Sequence, residues 1–187
     1  MARVIAPSGC HHWKRSHIGA KWNAATKKIA YGRPHQDGHY QTFIADGDGA
    51  NERRVAFASW RDGRHQFPAA WHPAGDLLAL LVEQNEHERS SVDAIPGYGA
   101  YTDYWIVTRD GSRAWKVYAL PDGYDHAITH AAFSPDGSKF AWTERVKAPR
   151  FWDLNLFAGS YVFKVADFVL TPVPHLDNVR TIQPGNV

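Results

Sequence analysis

Histidine is the residue type in this chain most able to do chemistry. There are 11 in 187 residues, and several precede a recurring aromatic: His17 before Trp22, His65 before Trp71, and His126 and His130 before Phe133. Imidazole is a common metal ligand and a proton carrier near neutral pH. Histidines recurring just before the repeated aromatics could therefore form a metal or acidic-ligand site, with Arg61 nearby. The plainer reading, which we favour, is histidines hydrogen-bonded to water and backbone. No compact zinc spacing is present, and adjacent His11 and His12 would point to opposite faces of a strand. No metal or other cofactor is assigned. Cys10 stands alone, so no internal disulfide is possible. There is no Gly-x-Ser-x-Gly elbow and no phosphate-cradling glycine loop. No catalytic residue is assigned, and the balance leans away from an enzyme.

A second candidate is the stretch from Glu83 to Asp103, which mixes carboxylates, His and Tyr. Long loops on a rigid scaffold often carry function. Glu86, His87, Tyr98 and Tyr101 suit sugar or peptide recognition, and a plain solvated loop is the alternative. With Arg61, His65, His126 and His130 they complete the candidate ligand-binding set.

The elements that would position these residues follow from a repeat. Trp22-Asn23-Ala24-Ala25-Thr26-Lys27-Lys28-Ile29-Ala30-Tyr31 is echoed by Trp71-His72-Pro73-Ala74-Gly75-Asp76-Leu77-Leu78-Ala79-Leu80. Phe133-Ser134-Pro135-Asp136-Gly137-Ser138-Lys139-Phe140-Ala141-Trp142 is the third copy. In each, a strand ends at the aromatic, turn chemistry follows, and an apolar strand returns, predicted over Leu77 to Val82 and Lys139 to Thr143. A further apolar strand closes on Asp48-Gly49 and Asp110-Gly111, both hairpin signals. Next come Arg53 to Phe57 and Ala114 to Tyr118. The third copy offers Tyr161 to Ala166 and Arg180 to Pro184. Each unit is thus about four antiparallel strands.

The prediction is an all-β protein: one partial β-propeller of about three four-stranded blades, over roughly 8–57, 58–119 and 120–187. Residues 1–7 would add an outer strand, and Trp152 to Phe157 could form a short helix. With 8 Trp, 8 Tyr and 9 Phe, the aromatic content favours sheet. Propellers close with 4–8 blades. Three blades would be half or a fragment of a six- to eight-bladed ring, or two chains would close a six-bladed one. The histidines before the aromatics would then lie near a mouth of the central channel. His72, in the turn, would bond locally to backbone.

Formal charge is only +2, too weak for a nucleic-acid footprint. No apolar run reaches the ~20 residues needed to span a bilayer, so no membrane insertion is expected. Residues 1–7 lack the apolar length of a signal peptide.

The phrase from Phe133 to Trp142, its variant at Trp71, the eroded copy at Trp22 and the Asp-Gly turns resemble the WD40-like repeat of the TolB-like propeller family. The resemblance implies a propeller used as an interaction platform, with a protein or peptide partner and a periplasmic or extracellular setting. Carbohydrate is a further ligand class. Related propellers also serve as gating domains of prolyl-oligopeptidase-like hydrolases and as the catalytic fold of oligogalacturonate lyases. The motif residues themselves are structural.

Overall fold

Each copy of the repeated phrase folds as a strand, a tight turn and a returning strand. Gly75 and Gly137 take φ of +77° and +76°. Their amides donate to His72 O at 2.8 Å and Ser134 O at 2.9 Å. Side-chain caps reinforce the third turn. Asp136 accepts from Ser134 and Ser138, which lowers its carboxyl to about 2. The first copy has no glycine there, and Lys27 takes the left-handed conformation instead, at φ +55°.

The computed structural model describes residues 18–56, 64–84, 99–121, 126–147 and 159–182. These contain β1 (Ile18–Asn23), β2 (Lys28–Pro34), β3 (Tyr40–Asp46) and β4 (Arg53–Arg54). Then follow β5 (Gln66–Trp71), β6 (Leu77–Glu83), β7 (Thr102–Thr108) and β8 (Ala114–Tyr118). The last four are β9 (Ala127–Phe133), β10 (Lys139–Lys147), β11 (Ser160–Val169) and β12 (His175–Ile182). They form three antiparallel sheets, each of four strands paired in chain order. The described residues are all-β and make a β-propeller array of three blades.

Several strands differ in length from expectation. β10 runs four residues past Thr143, and β11 begins earlier and ends later than Tyr161 to Ala166, because Lys139↔Asp167 through Lys147↔Ser160 pair along the whole hairpin. β12 begins at His175, before the expected Arg180. β4 is only Arg53–Arg54, although Val55 N still bonds Thr42 O at 2.8 Å. Residues 1–7 and Trp152 to Phe157 lie outside the described residues.

Two apolar joints hold the blades together. Ala30, Ile44 and Val55 of the first blade meet Trp71, Leu78, Leu80, Val82 and Val107 of the second. Ala79, Tyr104 and Ile106 of the second meet Phe140, Trp142, Ala166 and Phe168 of the third. Aromatic edges dominate the second joint: Tyr104 stands T-shaped on Phe140 and Trp142, with centroids 5.2 and 6.0 Å apart. The first strands β1, β5 and β9 run beside one another and form the inner edge of the array.

Candidate functional site

Among the described residues, the inner edge carries an open cleft that could serve binding. β1, β5 and β9 each bear a β-bulge shortly before the aromatic: at Gly19–Ala20, at Ala69 and at His130. A bulge bends its strand and re-aims nearby groups. Here the bends bring equivalent residues together around a cleft of about 300 Å³. Ala20, Lys21 and Trp22 line it with Ala69, Ala70 and Trp71, and with Ala131, Ala132 and Phe133. Trp71 spans toward β1, its Nε1 donating to Lys21 O at 3.0 Å. Trp22 is 53% exposed. The cleft is open, its lining is more polar than apolar, and small residues, Lys21 and three aromatics contribute to it. The signal for it lies in the sequence, in the small residues before each aromatic, which the histidine pattern overshadowed.

The structure separates the predicted histidines. His65 is buried where the first two blades meet. Its Nδ1 accepts from Tyr40 N at 3.0 Å, and its amide donates to Glu83 Oε2 at 2.7 Å. Its ring packs beside His39, Tyr40 and Phe67. A neutral Nδ1 engaged by backbone leaves that nitrogen no lone pair for a metal. His126 is half-buried at the entry to β9, and its Nδ1 has no hydrogen-bond partner. His130 is exposed at the bulge, at φ +44°, with Nδ1 3.2 Å from Thr129 Oγ1. Among the described residues, no group of three or more His, Cys, Asp and Glu is placed to hold a metal ion.

Tyr101, at the foot of the long loop, is buried with Ala100 and Ala127. Ile128 N donates to Gly99 O at 3.1 Å, fastening that foot to β9. Tyr101 therefore acts in packing at the entry to β9. Arg61, Glu86, His87, Tyr98 and His17 lie outside the described residues.

His72 does bond locally, its Nδ1 accepting from Ala74 N at 3.4 Å. It also reaches the next blade. Its ring lies 5.2 Å from Phe133 and 5.7 Å from Phe168, centroid to centroid. It fills the space beside Gly137 that a Cβ would need. Asn23 does the same one blade earlier, donating to His72 O at 3.1 Å and sitting where a Cβ on Gly75 would fall 2.6 Å from its Oδ1.

A charged group is buried at the second joint. Glu144 Oε2 accepts from Tyr118 Oη at 2.6 Å, from Trp142 Nε1 at 3.3 Å and from Lys164 Nζ at 3.1 Å. Burial and the Glu144 carboxylate push the Tyr118 phenol above its ordinary value. Burial alone would lower Lys164, but its bonds to Tyr118 and Glu144 carry it above. The group is fully paired, closed by side chains, and reads as a cross-joint brace.

No protein-family description matches the chain. A 74-residue stretch is 34% identical to Tricorn protease homolog 1 of Streptomyces coelicolor, spanning 38% of this chain and 5% of that protein. Among solved structures, TolB from Agrobacterium tumefaciens superposes with a TM-score of 0.54 at 16% identity, over 88% of this chain and 49% of that one. TolB from Acinetobacter baumannii gives 0.53 at 12%, over 88% and 32%. The β-propeller domain of the Trilobed protease from Pyrococcus furiosus gives 0.52 at 11%, over 92% and 44%. The chain spans half or less of the length of each. At these identities the likeness speaks for architecture, and with three four-stranded blades among the described residues it makes this chain a TolB-like β-propeller in fold.

Proposed function

We propose that the chain is a non-catalytic propeller module that binds a protein or peptide segment in the cleft on its inner edge. The observation that carries this reading is the convergence of Ala20-Lys21-Trp22, Ala69-Ala70-Trp71 and Ala131-Ala132-Phe133 around one open cleft. The exposed Trp22 ring can meet an apolar side chain, and Lys21 a nearby carboxylate. Inner-edge strands also offer backbone groups to an extended peptide. The stretch similar to a Tricorn protease homologue supports a peptide as the ligand class. The resemblance to TolB supports a periplasmic or extracellular setting.

Panning a random peptide display library against the chain tests this. Enrichment of peptides pairing an apolar residue with a carboxylate is expected. Ala20→Trp, which fills the cleft from an exposed position, should weaken the selected peptides by about tenfold or more, equivalent to about 1.4 kcal/mol. Failure to enrich, or binding undiminished by Ala20→Trp, overturns the proposal.

A further inference from the structure

Each joint pairs a front face, turned toward the next blade, with a back face turned toward the previous one. Strand register makes the faces comparable position by position. On the third blade, Ala141, Val165, Phe163 and Ile182 stand where the second has Ala79, Ile106, Tyr104 and Tyr118. Tyr104 is fully buried against the third blade, whereas Phe163 is 49% and Ile182 48% exposed. At the other end, Trp22 stands where Trp71 and Phe133 do. Trp71 is 7% exposed and Trp22 53%. Among the described residues, the array thus ends in an open front face and a half-exposed strand-ending aromatic whose ring rests on its own blade's turn at Gly47.

We propose that these two ends fit each other, so that two copies of this chain close head to tail into a six-bladed ring. The joint's own construction indicates the occupant. A front face is covered by a blade whose first strand ends in an aromatic, and Trp22 is the copy of that aromatic left uncovered. The latches agree in size. Asn23 and His72, both large, fit against Gly75 and Gly137 of the following blade. Ser134, the next in the series, is small and turned back on Asp136. The first blade's turn has Thr26 in place of that glycine. The small Ser134 leaves room for the Cβ that Thr26 carries where the other two turns have glycine. Three blades from each copy give a number within the range in which propellers close. Two-fold closure makes the two joints identical and leaves no sheet face open. Trp22 also lines the cleft, so the ring is read by mass and not by peptide binding.

Light scattering on the 187-residue chain across a dilution series tests it. A particle of twice 21.0 kDa is expected throughout. The front-face variant Phe163→Glu with Ile182→Glu, and the back-face variant Trp22→Glu, should each run at 21.0 kDa with an unchanged far-ultraviolet circular dichroism spectrum. Mixed one to one, they should recover dimer, because one joint of the pair then has both native faces. A monomeric unmodified chain overturns the proposal. So does a mass that grows past the dimer with concentration, or a dimer that survives both variants.

Discussion

Tyr104 and Tyr118 are cross-strand partners on β7 and β8, yet their hydroxyls meet opposite environments. Tyr118 donates to Glu144 and accepts from Lys164 at 3.0 Å. The Tyr104 Oη is buried with no hydrogen-bond partner. Burial and the Glu144 charge hold its phenol far above the ordinary range. An unmade hydrogen bond costs the desolvation of the group, whereas a made one returns about 1 kcal/mol net. Tyr104→Phe should therefore leave stability unchanged or raise it by about 1 kcal/mol. Tyr118→Phe should lower it by about 1–3 kcal/mol, because Glu144 then loses a donor inside the joint. Urea unfolding midpoints of the two variants check this, and equal losses would contradict it. Neither environment was legible in the sequence. Both tyrosines read as apolar strand positions, and Glu144 lies two residues past the aromatic that ends the repeated phrase. What distinguishes them is the third blade, which no local pattern brings near.

The tight turn shows what a local signal can and cannot reveal. Gly137 was readable as a turn residue, since its position needs φ near +76°. That the same glycine leaves room for His72 of the previous blade was not, because the two are joined only through packing. Gly49 separates these roles: its φ is +87° and nothing lies within 4 Å of a Cβ built there. Gly49→Ala should cost only the backbone part, about 1–2 kcal/mol. Gly137→Ala should cost that and a further steric part. Adding His72→Ala should relieve the steric part in a double-mutant cycle read by thermal unfolding. Additive losses would show that the contact carries no strain. The strands themselves were legible to within a few residues, because alternation and Asp-Gly turns are local properties. The candidate site was less so: the histidines lie at differing distances before the repeated aromatics, and those described fall at a blade joint, a loop foot and a bulge.

Across the molecule, packing is deepest in the middle and shallowest at the C-terminal edge. β6 and β7 are buried on both faces, with Leu78, Ala79, Leu80, Tyr104, Ile106 and Val107 all at 0% exposure. β12 is exposed from Asp177 to Ile182. Opening free energy follows burial. Native-state hydrogen exchange should find the β6 and β7 amides slowest and those of β12 fastest. Uniform protection across the three sheets would refute a graded array. The latches add an order in time. Asn23 waits for the turn at Gly75, and His72 for the turn at Gly137, each far downstream in the chain. During synthesis, a blade is not finished when its own four strands emerge; it is sealed only after the first hairpin of its successor leaves the ribosome. The nascent chain would then mature as a zipper running from the N-terminus, always one half-made blade behind the point of elongation.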